Sequence, residues 1–354
     1  MDGMNMYENY DQMAGQNGPA DRKEEIKAAR KHFSKLGGMF VLGTIIIYGV
    51  QLLAVTLVDV LKPEWLYNGN ISLMVQTMPM YIVGMPLLIL LVVKNVPAQQ
   101  VKRRPMKAGH FIVAVIMCYA IMYVSNFAGL ILTTVIGALK GGAVQNEILN
   151  VTESVSLWAI VLYMVICAPI MEEFIFRKLI VDRTVRYGQG VAVLLSGLMF
   201  GLFHGNLNQF IYAFALGVFF AFIYVKTGNI KITIALHMLI NFVGGGVSSA
   251  LMRALDLDAY MEAALSGDMG TMMAFVQENL AAMMAYMIFL VFVFGMMIAG
   301  SVILIVCLVK KKFTFEKGQV VIPKGKRFST VAGNIGMVIY GLFWVVMIIL
   351  QLFM

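Results

Sequence analysis

Nine long apolar stretches limit what this chain can become. They lie at 38–61, 71–93, 109–139, 157–176, 191–204, 210–225, 232–250, 281–309 and 331–353. Most are long enough to cross a hydrocarbon core of about 30 Å as helices. In lipid every backbone polar group must find its partner within the protein, which favours helices for runs of this kind. Composition agrees: 60% hydrophobic and 13% charged residues leave too little polar surface for a soluble globule, in which roughly a quarter of residues are charged. The expected fold class is all-α, a polytopic membrane helix bundle of about nine transmembrane helices. The fifth and sixth stretches are short and divided only by residues 205–209, so they read as a tight hairpin or as one broken helix.

Charge separates these two readings. With nine spans, alternate loops hold 24 of the 27 Lys and Arg residues and the intervening loops hold 3. Cationic loops are retained in the cytosol, so nine spans place the N-terminus inside and the C-terminus outside, whereas merging two spans would reverse every later loop. The net charge of +8 is thereby explained without nucleic acid. Clusters such as Lys102–Arg103–Arg104 and Lys310–Lys311–Lys312 are expected to meet anionic headgroups of the bilayer.

Residues 1–36 read as a polar cytosolic tail whose second half, from Asp21 to Lys35, is a frayed helix near the membrane. The bundle follows over 37–354. No secretory leader is expected from so polar a beginning, and the first span acts as its own signal. Arg253 to Asn279 carries Asp256, Asp258, Glu262, Asp268 and Glu278, and is expected to form a short amphipathic helix on the outer surface. Cys118, Cys167 and Cys307 all lie in apolar runs, which excludes a disulfide scaffold. No 20–50-residue repeat is visible.

An ionisable side chain in a membrane span costs several kcal/mol and marks a functional candidate. Glu172 and Glu173, His204, and His237 with Asn241 pass that filter. A hairpin turning at Gly188 places Glu172 sixteen residues before the turn and His204 sixteen after it, at equal height about 24 Å along each helix. His237 lies nine residues past Gly228, about 13 Å down its own helix. The heights agree if the hairpin end, with Arg177, Lys178, Asp182, Arg183 and Arg186, projects into the cytosol by two turns. Glu173 and Arg177 are four apart in the favourable order for a helical ion pair, while Glu172 points about 100° away. Phe200 shares a stripe with His204, and His237 shares one with Asn241. Pro169 removes a backbone donor and should kink the helix, freeing a carbonyl.

Taken singly, each residue has a plainer reading. A Glu–Arg pair in a helix is more often structural than catalytic, so Glu173 and Arg177 read as support. A lone membrane His or Asn is usually glue between helices, the reading kept for His110 and Asn126, and His32 reads as a surface residue. Two acids, two histidines and an amide at matching depth are harder to dismiss. Glu172 can take a proton from water as general base, and His204 can hold that water or protonate a leaving amine. His237 and Asn241 can donate to a developing oxyanion. The set suits amide hydrolysis. Cys167 lacks a thiolate-stabilising partner and Ser196 lacks a nucleophile elbow. The spacing excludes a His-Glu-x-x-His zinc site, although Glu172, His204 and His237 remain a conceivable three-ligand set for zinc.

Glu172–Glu173–x–x–x–Arg177, Phe200–x–x–x–His204 and His237–x–x–x–Asn241, in that order within apolar helices, resemble the three motifs of the CPBP family of intramembrane peptidases, which includes the type II CAAX prenyl endopeptidases. The resemblance covers 155–250. It implies an endopeptidase in which Glu172 and His204 activate water, His237 and Asn241 stabilise the oxyanion, and Glu173 and Arg177 support the helix. It also implies a peptide or protein substrate, and the projecting hairpin places the site within the membrane on its cytosolic side. The family is often labelled metalloprotease, but its prenyl-endopeptidase members look glutamate-dependent, so metal-free catalysis with no required cofactor is expected. Lys178 departs from the pattern, since relatives commonly carry Gly there, and is expected to narrow the access route. A bacterial plasma membrane is the expected setting. Two readings of other classes stand beside the enzyme. One is a non-catalytic immunity or binding protein; the other, a proton-coupled transporter, is disfavoured because no inverted repeat is visible.

Overall fold

The computed structural model describes residues 19–353, predominantly helical with no strand among them. Residues 1–18, half of the expected cytosolic tail, lie outside the described residues. Eight helices are long and apolar enough to cross a membrane: α1 (Pro19–Leu61), α2 (Gly69–Asn95), α3 (Ala108–Lys140), α4 (Leu157–Tyr187), α6 (Leu207–Thr227), α7 (Ile230–Leu255), α8 (Leu280–Val309) and α9 (Ile335–Phe353). The ninth, α5 (Gln189–Phe203), has 15 residues, about 22 Å, short of a full crossing. Among the described residues the protein is thus an integral multi-pass bundle of eight helices long enough to cross a membrane and one shorter apolar helix.

Local chemistry sets the punctuation. Asn206 accepts a hydrogen bond from the Gln209 amide to start α6, and Gly228, at φ 57°, ends that helix in the left-handed region open to glycine. The Asn229 side chain then caps the start of α7. Between α5 and α6 the chain reverses tightly, as the hairpin reading expected. A Cβ on Gly197 would lie 2.7 Å from the Val218 amide nitrogen, and one on Gly217 would lie 3.0 Å from the Gly197 Cα. Only hydrogens at both positions permit so close an approach.

Several expectations change. Helix α1 runs without a break through position 36, and Ala29, Phe33 and Leu36 are buried in the core, so this part of the expected tail is packed rather than frayed. His32 is half-buried, not a plain surface residue: its Nε2 lies 2.7 Å from the Arg183 carbonyl. The expected single amphipathic helix after α7 is two, Leu257–Leu265 and Met269–Glu278, because Ser266 and Gly267 interrupt it. Pro169 lies inside a helix α4 that is not regular throughout. The backbone adopts π-helical geometry over Ile160–Cys167 and again over Phe174–Val181, flanking an α-helical turn at Ala168–Glu173.

The charged end of α4 is sheathed by protein, not a bare projection. Asp182 and Arg183 are buried. Asp182 accepts from the Tyr224 hydroxyl at 2.9 Å and pairs with Lys178 at 2.7 Å. Arg183 donates from Nε to the Val96 carbonyl at 2.9 Å. The connection after α8 covers this end, with Val320 N donating to the Arg186 carbonyl and Glu316 pairing with Arg104 at 3.5 Å. One hydrophobic cluster joins α1, α2, α4, α5 and α9; a second joins α3, α6 and α7, with α8 packed against it. The polar groups of α4, α5 and α7 lie between them. Gly197→Val is expected to destabilise the bundle by about 1–3 kcal/mol through overpacking, whereas Gly341→Ala, which meets no atom within 4 Å, should leave the melting temperature unchanged; thermal unfolding in detergent reads both.

Candidate active site

Helices α4, α5 and α7 bring the polar residues together around one aromatic ring. Phe200 stands at the middle: the Arg177 guanidinium carbon lies 4.3 Å from its centroid, and the His204 and His237 rings meet it edge-on at 4.9 and 5.8 Å. The stripe pairing Phe200 with His204 therefore extends across helices to Arg177 and His237. Phe220 of α6, which carries no signal in the sequence, closes the other side, 5.4 Å from both the Arg177 guanidinium carbon and the His237 ring.

The two acids share one imidazole. Glu173 Oε1 lies 3.0 Å from His237 Nδ1 and 3.0 Å from Arg177 Nη2, with Glu173 and Arg177 wholly inaccessible. Glu172 Oε2 stands 3.8 Å from the other nitrogen, His237 Nε2, and its side chain keeps 18% exposure. Opposite a carboxylate oxygen, Nδ1 carries its proton and donates it, so the Nε2 of a neutral ring presents a lone pair toward Glu172. Glu173 thus does more than pair with Arg177 along its helix. The 100° between neighbouring residues sends the two carboxylates to opposite edges of the same ring.

His204 sits at the end of α5, with Nδ1 2.9 Å from the Phe200 carbonyl. Facing a carbonyl, Nδ1 is again the protonated nitrogen, and Nε2 is left to accept. Asn241 is placed differently from a group aimed at substrate: its Nδ2 donates to the Met164 carbonyl of α4 at 2.8 Å. Tyr81 of α2 and Tyr212 of α6, outside the motifs, are electrostatic neighbours of Glu172. Lys178 turns along α4 to Asp182.

Burying an ion pair costs several kcal/mol of desolvation, recovered only when both partners are well served. Here one Glu173 oxygen accepts from the imidazole and pairs with the guanidinium by charge alone, while the Arg177 Nε, Nη1 and Nη2 and the second Glu173 oxygen make no hydrogen bond within the protein. The Phe200 and Phe220 rings supply the remaining contact to the cation. Among the described residues no three His, Cys, Asp or Glu side chains are grouped to hold a metal.

Residues 154–243 match the family model described as type II CAAX prenyl endopeptidase Rce1-like. This segment is similar to the core of the CPBP family. Among curated proteins, "Putative membrane peptidase YdiL" of Bacillus subtilis (strain 168) is 29% identical over 43% of this chain and 63% of its own length. "Membrane-embedded CAAX protease MroQ" of Staphylococcus aureus (strain USA300) is 24% identical over 34% of this chain and 51% of its own. The chain therefore spans less than two thirds of either relative. No solved structure matches. The matched segment contains all seven motif residues, while α1, α2, α3, α8 and α9 fall outside it.

Replacing Arg177 with Met leaves the Glu173 charge buried beside a single imidazole. The expected loss of stability is about 3–5 kcal/mol. The double variant Glu173→Gln/Arg177→Met should lose markedly less than Arg177→Met alone, a difference readable by thermal unfolding of the detergent-solubilised protein.

Proposed function

We propose that the chain is an intramembrane endopeptidase that hydrolyses a peptide bond with water activated by Glu172, in a cleft within the membrane on its cytosolic side. The observation that carries this reading is the placement of two carboxylates at opposite nitrogens of one buried imidazole, the inner one locked by Arg177 and the outer one partly open. A water in front of Glu172 gives its proton to that carboxylate as its oxygen attacks the peptide carbonyl carbon. His204, with Nε2 free to accept, holds the same water and relays the proton to the departing amine as the C–N bond breaks. His237, oriented by Glu173, donates from Nε2 to the oxyanion when protonated, and the Glu173 carboxylate stabilises that imidazolium as a buried acid does beside a catalytic histidine.

The cytosolic placement is supported by the sheath around the end of α4, built from the Arg- and Lys-rich connections after α2 and α8. The substrate is a peptide or membrane-associated protein reached from the bilayer. The matched family name and MroQ's printed name concern CAAX processing, and a prenylated end is one form such a substrate takes. A bacterial plasma membrane is the proposed setting, with the N-terminus cytosolic.

Glu172→Gln and His204→Ala should each lower cleavage by about a hundredfold or more while the protein still inserts and melts as a folded bundle. The readout is mass spectrometry of membrane and secreted peptide ends from cells carrying wild type or variant. New ends persisting in both variants would overturn the proposal. A non-catalytic immunity or binding protein would instead lose abundance on mutation and release no new ends from the start. In the same assay, metal-free catalysis predicts cleavage that survives a chelator.

A further inference from the structure

We infer that Asn241 is a positioning residue that supplies, from α7, the hydrogen bond Pro169 removes from α4. In the π-helical stretch Ile160–Cys167, bonds run from each amide to the carbonyl five residues back, and the last is Ala168 N to Tyr163 O. The next in register would be residue 169 to the Met164 carbonyl. Residue 169 is Pro, which has no N–H. The α-helical alternative, Ala168 to Met164, is also closed because the Ala168 amide is given to Tyr163. Met164 therefore has no donor from its own helix in either register. The Asn241 side chain donates to it at 2.8 Å.

This bond crosses between helices just before the α-helical turn that carries the acids, Ala168–Glu173. A carbonyl left unpaired in a membrane interior is costly, and the helix would relax toward another register to satisfy it. Such a shift rotates Glu172 and Glu173 about the α4 axis, away from the two nitrogens of His237. Asn241 lies one turn after His237 on α7, so a single helix both presents the imidazole and fixes the phase of the acids it meets. In this assignment Asn241 acts through α4 rather than by touching the substrate. That bears on turnover only if the peptidase reading holds, but the hydrogen bond itself does not depend on it.

The test is a double-mutant cycle in the full-length chain, with Pro169→Ala returning a backbone N–H at the vacant position. Asn241→Leu should lower the melting temperature in detergent by about 2–4 °C when Pro169 is present, and by less than half as much in the Pro169→Ala background. Asn241→Ala serves as a second variant if Leu prevents folding. With a quenched-fluorescence peptide mixture as probe, Asn241→Leu should lower kcat by about tenfold or more at unchanged KM, and adding Pro169→Ala should restore kcat to within about threefold of the Pro169→Ala value. An equal melting loss in both backgrounds overturns the inference, as does a kcat that stays low in the double variant, the signature of a direct oxyanion donor. If no variant cleaves any peptide, including wild type, the peptidase reading fails and the melting cycle still decides the role of Asn241.

Discussion

The structure turns on a charge pair that water cannot reach. Glu173 and Arg177 are buried between α4, α5, α6 and α7, and their charges are tolerable there only because each meets the other and because His237 and two aromatic rings complete the surroundings. Every helix that touches this pair is thereby fixed in rotation. Phe200 must lie under the guanidinium, which orients α5 and with it His204. His237 must reach the inner carboxylate, which orients α7 and presents the opposite nitrogen to Glu172. The partly open acid is thus placed by the closed one.

Backbone geometry contributes as much as side chains. The two π-helical stretches of α4 flank the acids, and departures of this kind from the α-helix often occur at functional sites. They let Pro169 sit inside a membrane helix without breaking it, since the one donor lost is supplied by a neighbouring helix. The short α5 serves the same end. Its length brings the turn with Gly205 and Asn206 inside the thickness a full span would cover, where Asn206 satisfies the chain reversal with its own side chain. His204 at that turn is consequently part-buried, held against Phe200.

Much of this was legible because lipid imposes simple rules. Glu172, Glu173, His204, His237 and Asn241 stood out as polar residues in helices that should carry none, and equal counts from Gly188 brought Glu172 and His204 to one height. The spacing did not reveal that both acids meet His237, because the rotation of α7 relative to α4 is set by packing between helices and not by spacing along either one. Nor did it show that His32, Asp182 and Arg183 would be enclosed: enclosure is produced by connections that return from distant parts of the chain. Phe220, Tyr81 and Tyr212 carried no signal, since an aromatic residue in a membrane helix is ordinary until its neighbours are known.

By itself, then, the sequence determined that the chain is a helical membrane bundle and which residues are anomalous within it, because hydropathy, loop charge and turn residues act locally and add along the chain. Tertiary structure alone decided which nitrogen meets which carboxylate, which amide is committed to Met164, and which charges are sealed from water. Those outcomes depend on helix rotation and close approach, as at Gly197 and Gly217, and rotation is set by packing between segments far apart in sequence.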